Sequence, residues 1–312
     1  MGSAAKLTAI VPATDAPPTL ERCLEAIRSS ARPPDELIVV TEPSGAGPAR
    51  ARNEGAERAS GDVLVFVDSD VLVHDDALLR VAAAFDAGPD LVAIFGSYDD
   101  SPEASGAVSG FRNLLHHHVH QQGAGPAQSF WAGIGAIRAD AFSGVGGFDA
   151  ERYPRPSIED IELGSRLAAA GARIELDPGL QGTHLKRWTL TSIVRTDFAD
   201  RGVPWVELIA AGGAPAGLLN LGWRHRLSAL LSLACVVQTI RRRPLPVLAA
   251  LAGLVALNRD LYALVLARRG PAQAIAGIGV HIVHHLTSAA ALAAGLTRGS
   301  RTSARSRRAR AG

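Results

Sequence analysis

Cysteine is scarce in this chain, and so are acidic residues in its last third. Cys23 and Cys235 are the only cysteines among 312 residues. Two cysteines exclude a disulfide framework and a thiolate metal centre, and so few are typical of a reducing compartment. The first residues also lack a basic stretch followed by a long apolar run, so we expect no secretory signal peptide.

The shortage of acid in the last third makes the charge distribution uneven. Residues 1–220 carry 18 basic and 29 acidic side chains, whereas residues 221–312 carry 14 arginines and a single acid, Asp260. The arginines flank apolar stretches and form no continuous basic patch. This pattern favours a membrane surface with anionic lipid head groups as partner and argues against nucleic acid.

The first half alternates strand and helix patterns. With 47% apolar residues, the chain is able to bury a full core as one large or two smaller domains. Apolar runs at residues 7–11 and 36–40 flank an amphipathic helical pattern at residues 20–27 that Thr19 is placed to cap. A right-handed crossover makes such strands parallel neighbours, which predicts an α/β fold.

A third apolar run ends in two aspartates, in the stretch GDVLVFVDSDVLV at residues 61–73. A run that is apolar on both faces suits a buried strand, which places Asp68 and Asp70 at its carboxyl end, where α/β sheets bind ligands. Because side chains alternate along an extended chain, the two carboxylates point the same way and suit Mg²⁺ or Mn²⁺. Solvated acids in a turn are the alternative interpretation.

A glycine-rich turn at residues 45–55 runs into a helix that begins with Arg50, Arg52 and Asn53. Backbone N–H groups at a helix start, with guanidinium groups beside them, suit a diphosphate.

These motifs, in this order, resemble the nucleotide-sugar half of family 2 glycosyltransferases, which have the GT-A fold. The resemblance implies a domain over residues 1–188 with a mostly parallel central sheet, a donor half at about 6–96 and an acceptor half at about 97–188. Family members often have two aspartates and Gly-Ser after the second strand, where this chain has Thr-Glu-Pro-Ser and a shorter connection. The donor contacts that the resemblance and the motifs suggest in this half are Pro12, Glu42, Arg50, Arg52, Asn53, Asp68 and Ser69, with Asp68 and Asp70 on the metal.

Two segments resemble the acceptor half of the same family: Gly-Gly-Phe-Asp at residues 146–149 and the Glu159-Asp160 pair ahead of a helix. The resemblance implies Asp160 as catalytic base and Glu159 near the acceptor. Ser157 and Asp160 also have the spacing of a helix capping box, which does not exclude catalysis. Trp131 and Gly133 lie in a run of small and aromatic residues that suits either a sugar ring or a core strand.

The motif Gly-Thr-His-Leu-Lys-Arg-Trp at residues 182–188 closes this region. His184 matches a metal-binding histidine of the family, or is a structural histidine at a strand end. Lys186 and Arg187 are candidate diphosphate ligands, and Trp188 is a candidate for acceptor contact or for the membrane surface.

Four histidines lie between His116 and His120, in a stretch at residues 98–125 whose composition predicts a loose loop. A metal site, a polar lining of the acceptor cleft and a solvated helix face all remain open for them.

From residue 189 the chain changes character. Residues 189–222 predict an amphipathic interfacial connector with Asp197 off its apolar face, and residues 223–297 a hydrophobic helical membrane region. Only residues 272–296 comfortably reach the length of a span. There, His281, His284 and His285 are expected to face protein or a polar cavity, because lipid penalises them. Residues 298–312 predict a basic, disordered tail.

The expected function is an inverting, metal-dependent transfer of sugar from a nucleotide-diphosphate sugar to a lipid or lipid-linked acceptor. Such an enzyme lies at the cytoplasmic membrane with its catalytic domain facing the cytoplasm. Two alternatives are a nucleotidyltransferase of sugar phosphates, which releases pyrophosphate, and a non-catalytic membrane scaffold.

Overall fold

The computed structural model of the chain describes residues 5–214 and 222–310, with side chains as far as Arg298. Two compact units are present. The first comprises Met1–Ala104 and His116–Lys186, and the second comprises Ser105–Leu115 and Arg187–Gly312. The second unit thus includes a segment from the middle of the chain, which the sequence patterns do not indicate.

The first unit consists of a single sheet and the helices that cover it. Its helices are α1 (Leu20–Ser29), α2 (Pro48–Arg58), α3 (Ala77–Ala87), α5 (Ala139–Gly144), α6 (Glu159–Ala169) and the last part of α4 (Ala107–Gln122). Its strands are β1 (Leu7–Pro12), β2 (Glu36–Val40), β3 (Val63–Val67), β4 (Val71–Val73), β5 (Leu91–Tyr98), β6 (Gly125–Ala127), β7 (Ile134–Arg138) and β8 (Arg173–His184).

In the described part of the chain, the sheet has eight strands in the order β2-β1-β3-β7-β5-β8-β4, and β6 also pairs with β8. β1 is parallel to β2 and β3, and β5 is parallel to β8. β7 lies between β3 and β5 and is antiparallel to both, while β4 and β6 are antiparallel to β8. The sheet is therefore mixed, and the expectation of a mostly parallel sheet is wrong, because β7 and β4 enter from the opposite direction.

Strand β3 forms the centre of the core. All five of its residues are buried, as expected for a strand covered on both faces. The ring of Phe66 lies 5.3 Å from Phe148, 5.5 Å from Phe142 and 6.4 Å from Phe130. Burying a phenylalanine contributes roughly 1.5–3 kcal/mol, so this cluster holds the Gly-Gly-Phe-Asp segment against β3.

Helix α4 replaces part of the predicted loose loop. The stretch at residues 98–125 holds Ser, Gly and Asp, but α4 runs through its middle and buries Phe111, Leu114 and His120. Phe111 and Leu114 lie three positions apart, which is a spacing found on the buried face of a helix.

The second unit is helical in its described residues. It includes the start of α4, then α7 (Leu190–Arg195), a π-helical segment (Thr196–Gly202), α8 (Val203–Ala210), α9 (Trp223–Ile240), α10 (Pro244–Leu257), α11 (Arg259–Arg269) and α12 (Pro271–Arg310). Helix α12 extends through most of the predicted disordered tail, because no proline interrupts it and alanine and arginine favour helix. Part of the predicted connector, at residues 215–221, lies outside the described residues.

One described segment, Pro271–Arg298, is long and apolar enough to cross a membrane. Pro244–Leu257 and Arg259–Arg269 pass the same test only as a pair, which is bent by 82°. Core helices of soluble proteins have the same length and composition, so this is weak evidence for a membrane.

The π-helical segment corrects one sequence expectation. Asp197 was expected off the apolar face, yet it is buried and its Oδ1 lies 2.7 Å from Arg112 Nη2. A π-helix takes more residues per turn than an α-helix, which rotates Asp197 away from the face that an α-helical pattern gives it.

Candidate active site

The two aspartates lie in a tight connection between β3 and β4. The N–H of Asp68 donates to Gly133 O at 3.1 Å, and the Thr19 hydroxyl donates to Ser69 O at 2.8 Å. Thr19 therefore fixes this turn and does not cap α1, where its side chain makes no cap bond. The side chains of Asp68 and Asp70 remain 30% and 28% exposed, so both carboxylates are accessible to a ligand.

His184 is brought to Asp70 by strand pairing, because β4 and β8 place Val71 opposite His184. Its Nε2 lies 3.5 Å from Asp70 Oδ2, and its ring stacks on Tyr98 at 4.0 Å with an angle of 8°. Burial opposes ionisation of Asp70, but the hydrogen bond and charge of His184 and the charge of Lys186 lower its pKa overall. Asp70 and His184 thus form a preformed pair of metal-ligand types at the sheet edge.

Arg52 links the two halves of this unit. Its side chain is only 4% exposed, with Nη2 2.6 Å from Asp68 Oδ1 and Nη1 3.0 Å from Glu159 Oε1. The guanidinium also lies over the Phe148 ring at 5.4 Å from its centre. Donor contact by Arg52 and acceptor contact by Glu159 were expected, but both side chains are buried and engaged with each other. Their ion pairs position the Asp68 carboxylate and the start of α6.

The pKa of Asp68 is raised. Burial is the main cause and the charge of Asp70 adds to it, while Arg52 acts in the opposite direction. A divalent cation would compensate this excess of negative charge, and carboxylate oxygens with one imidazole suit Mn²⁺ or Mg²⁺. Among the described residues, however, the ligand atoms of Asp68, Asp70 and His184 do not all lie within 4.8 Å of one another. Arg52 draws the Asp68 carboxylate towards itself, which leaves Asp70 and His184 as the closer pair.

Asp160 lies at the start of α6 and is partly exposed. Its Oδ2 accepts from the N–H of Ala132 at 3.3 Å, and its Oδ1 accepts from the N–H of Ile161 at 2.8 Å. Gly164 lets α6 approach this closely, since a Cβ there would overlap the backbone of Ser129 and Phe130. The position of Asp160 is thus fixed by two backbone N–H groups, while the residue as a whole stays partly exposed.

Asn53, an expected donor contact, hydrogen-bonds the backbone of Phe148. Its Nδ2 donates to Phe148 O at 2.8 Å, and its Oδ1 accepts from the N–H of Phe148 at 2.9 Å. Both ends of the amide are therefore used to hold Gly-Gly-Phe-Asp on α2. A depression of about 470 Å³ opens beside Asn53, with residues 146–151, Glu162 and Arg166 as its other lining, and it includes none of Asp68, Asp70 and Asp160.

Trp131 belongs to a buried aromatic cluster. It is 8% exposed, and its ring centre lies 4.8 Å from Tyr98, 4.7 Å from His116 and 5.2 Å from His120. Gly133 leaves room for the indole, because a Cβ there would overlap the Trp131 ring. Direct acceptor contact by Trp131 and Gly133 would need this cluster to open.

The four neighbouring histidines do not form a solvated helix face. His117 Nδ1 and His120 Nδ1 lie 2.8 Å from the carbonyl oxygens of Tyr98 and Gly96, and both rings are buried. The stretch from His116 to His120 contributes no group of three metal-ligand atoms within 4.8 Å among the described residues. The histidines pack α4 against β5.

The other expected donor residues differ in their exposure. Pro12 is buried at the end of β1, whereas Glu42, Arg50 and Lys186 are exposed. Glu42 Oε2 accepts from the N–H of Ser44 at 3.1 Å.

Arg187 and Trp188, the last two residues of the motif at residues 182–188, belong to the second unit. Trp188 is 9% exposed, its N–H donates to Ser109 Oγ at 3.1 Å, and the Arg112 guanidinium lies 5.4 Å from its ring centre. As placed, Trp188 is a packing residue and not an exposed contact for the acceptor or the membrane.

Two residues that shape the site were missed. The sequence pattern predicts a helix cap for Thr19 and gives no role to Tyr98 at the end of β5, yet Thr19 bonds Ser69 O and Tyr98 stacks on His184. A polar or aromatic side chain at the carboxyl end of an apolar strand pattern is the signal that points to Tyr98, because β5 runs in the same direction as β3 and ligands bind at the carboxyl ends of such strands.

Comparison with known proteins finds similarity to one family. Residues 39–143 match the model of glycosyl transferase family 2, which includes Arg52, Asp68 and Asp70. About a third of the chain, which includes the Asp-x-Asp turn, is therefore similar to this family. It is 27% identical over 226 residues to the pre-mycofactocin glycosyltransferase of Mycobacterium tuberculosis, a match that covers 66% of this chain and 47% of the relative. The chain thus spans about half the length of the curated relatives it matches.

The fold is that of solved GT-A proteins. The mannosyltransferase PcManGT from Pyrobaculum calidifontis, solved in complex with GDP-Man and Mn²⁺, aligns with a TM-score of 0.52 and 19% identity. The alignment covers 92% of this chain and 87% of that one. At this identity the likeness shows the fold: a GT-A-like α/β domain with a mixed central sheet.

Proposed function

We propose that this protein transfers a sugar, with inversion, from a nucleoside-diphosphate sugar to a hydroxyl group, and that Asp160 is the general base. The observation that carries the proposal is the Arg52 bridge, which joins Asp68 after β3 to Glu159 at the start of α6. One guanidinium therefore brings the Asp-x-Asp turn and the Asp160 region together. A donor diphosphate at the first and an acceptor hydroxyl at the second would face each other.

The chemistry requires a base at that position. An acceptor hydroxyl has a pKa far above 7 and loses its proton as it attacks the anomeric carbon. A positioned carboxylate contributes about 10²–10⁴-fold to such a step. Asp160 is suitable because two backbone N–H groups orient it while it remains partly exposed.

The proposed metal ligands are Asp70 and His184, with Asp68 joining them if it moves from Arg52. Bound Mn²⁺ or Mg²⁺ would neutralise the charge that develops on the leaving diphosphate. The solved relative in complex with GDP-Man and Mn²⁺ has a similar fold, which supports a nucleotide sugar and a divalent cation as ligands here. The exposed Lys186 lies close enough to Asp70 to lower its pKa and is a candidate second contact for the diphosphate.

The direct test is Asp160→Asn in the full chain. Purified protein is screened with nucleotide sugars and Mn²⁺, using membrane extract as acceptor, and nucleoside diphosphate release is measured. We expect kcat to fall about 10²–10⁴-fold while donor binding persists. Asp140→Asn is the matched control, because Asp140 also starts a helix and its Oδ1 accepts from the next N–H, at 2.7 Å, but it lies on the exposed α5.

Unchanged transfer by the Asp160→Asn protein would refute the base. Release of pyrophosphate from a sugar phosphate and a nucleoside triphosphate would instead support a nucleotidyltransferase.

We further propose that the acceptor is a lipid or lipid-linked sugar at the cytoplasmic face of the membrane. The second unit exposes large apolar side chains, such as Trp223 at 68%, Ile240 at 75%, Leu245 at 76% and Ile275 at 70%. Exposed apolar groups beside arginines are typical of a protein that contacts anionic lipid. The full chain should float with vesicles that contain anionic phospholipid and bind less to neutral vesicles. A monodisperse protein that binds neither anionic nor neutral vesicles would contradict membrane attachment.

A further inference from the structure

Three histidine side chains converge inside the second unit. His225 comes from the first turn of α9, and His284 and His285 come from the middle of α12. One ring nitrogen of each lies within 4.8 Å of the others, and this is a set of three metal-ligand types in the described residues. The rings of His225 and His285 are 4.6 Å apart between centres, and those of His225 and His284 are 5.5 Å apart.

Asp197 fixes the orientation of one of these rings. Its Oδ2 lies 2.6 Å from His284 Nδ1, and its Oδ1 lies 2.7 Å from Arg112 Nη2. Nδ1 therefore carries the proton that is donated to the carboxylate, which leaves the Nε2 lone pair of His284 directed away from Asp197. A carboxylate behind a histidine is the usual arrangement around a metal-binding imidazole.

His285 adds an independent observation. It is only 1% exposed, and neither of its ring nitrogens has a hydrogen-bond partner. Buried polar atoms are nearly always paired, so an imidazole with two unpaired nitrogens marks a place where a ligand is expected. The nearby His281 is satisfied, because its Nδ1 lies 2.9 Å from the Tyr262 hydroxyl.

We propose that His225, His284 and His285 bind a divalent transition-metal ion of the zinc class. Imidazole nitrogens select Zn²⁺, Ni²⁺ or Cu²⁺ over Mg²⁺ and Mn²⁺, which prefer oxygen. A tetrahedral zinc ion with bonds of about 2.0–2.1 Å separates its ligand atoms by about 3.3 Å. The three histidine nitrogens lie within 4.8 Å of one another, so each pair has to approach by about 1.5 Å at most to bind the ion. His225 is partly exposed, and this gives the ion a path of entry.

This site is chemically distinct from the one proposed at Asp70. It consists of three nitrogens and lies wholly within the second unit, and its role there is to join α9, α12 and the π-helical segment that carries Asp197. The sequence predicts that His281, His284 and His285 face protein, and the metal gives two of them a reason to be inside an apolar helix.

The experiment uses the full chain with Asp68→Asn and Asp70→Asn, which removes the other expected metal site. The protein is purified through a tag that contains no histidine and is equilibrated with Co²⁺ or Zn²⁺. Metal content is then measured by mass spectrometry, and the visible absorption of bound Co²⁺ is recorded. We expect one equivalent of ion and the spectrum of a nitrogen-coordinated, four- or five-coordinate cobalt.

Three variants in this background define the site. His225→Gln is the gentlest, because this ring is partly exposed, and it should lose the stoichiometric ion and the cobalt spectrum, as should His285→Gln. Asp197→Asn should weaken binding by about 10–100-fold, the usual effect of removing a carboxylate behind a ligand. His118→Gln, in the first unit, is the matched control and should retain the ion.

Circular dichroism confirms that each variant is folded, and added Zn²⁺ should raise the melting temperature of the parent but not of His225→Gln. A parent protein without bound Co²⁺ or Zn²⁺ would overturn the proposal, and so would a folded His225→Gln protein that retains the ion and its spectrum. Neither result depends on glycosyl transfer.

Discussion

Replacing Arg52 with methionine tests whether the buried bridge holds the two halves of the site together. The guanidinium bonds Asp68 and Glu159, and the side chains of Arg52 and Glu159 are 4% and 6% exposed. Removing one partner of a buried ion pair costs about 3–5 kcal/mol, because the other charge is left buried and unpaired. Asp68 is 30% exposed and water screens it, so most of the cost falls on Glu159 and we expect about 3 kcal/mol.

The assay is chemical denaturation of Arg52→Met, Glu159→Gln and the double variant, followed by circular dichroism. The double variant should be more stable than the sum of the single losses indicates, with a coupling energy above about 1 kcal/mol. Arg58→Met is the matched control on the same helix. Its side chain is 54% exposed and 3.8 Å from Glu54, so its loss should stay within about 0.5 kcal/mol.

The same variants separate the bridge from direct donor binding. If Arg52 contacted the diphosphate, as the sequence suggests, Arg52→Met would keep the free energy of unfolding and raise the KM for the donor. A loss of stability below about 1 kcal/mol together with a raised KM would therefore refute the bridge and restore the donor contact. A loss of stability that Glu159→Gln partly relieves would support the structure.

Two further predictions concern the acid of α6 and the histidine at the sheet edge. Gly164→Val should push α6 away from the backbone of Ser129 and Phe130 and lower kcat by about 10²-fold with little change in donor affinity, because small displacements of catalytic groups have effects of this size. Gly144→Ala is the control and should leave kcat unchanged, because the added Cβ meets nothing within 4 Å. Equal effects of the two substitutions on kcat would contradict the close approach of α6. His184→Gln should raise the Mn²⁺ concentration for half-maximal activity by about tenfold or more. His74→Gln, in the loop after β4, is the control and should leave this concentration unchanged. An unchanged Mn²⁺ titration of His184→Gln would show that His184 is not a metal ligand.

The sequence was informative wherever the pattern is local. The run from Val63 to Val67 is a buried strand with Asp68 and Asp70 at its end, as its composition predicts. Strand periodicity and the position of acids at a strand end depend on neighbours in the chain. The helix that begins at Glu159 was found for the same reason, since its apolar spacing lies within a single segment.

The long-range contacts could not be predicted. Arg52 and Glu159 are 107 positions apart, and Asn53 and Phe148 are 95 apart, so no local pattern shows that they meet. Arginine and asparagine at the start of a helix suggest a ligand, but the same groups satisfy buried carboxylates and backbone equally well. The insertion of β7 between β3 and β5 is also invisible, because strand direction depends on how the chain returns to the sheet.

Charge gives a final reason for a cation at this edge of the sheet. The carboxylates of Asp68, Asp70, Glu159 and Asp160 interact with the positive charges of Arg52 and Lys186. The charge of His184 offsets part of the negative charge around Asp70, and the carboxylates still outnumber the cationic side chains. Burial raises the pKa of Asp68 and the nearby carboxylates add to this effect, so a divalent cation would relieve the excess charge before any donor arrives. Mn²⁺ should therefore bind the nucleotide-free protein, and Asp70→Asn, which removes a negative charge and a ligand, should abolish that binding.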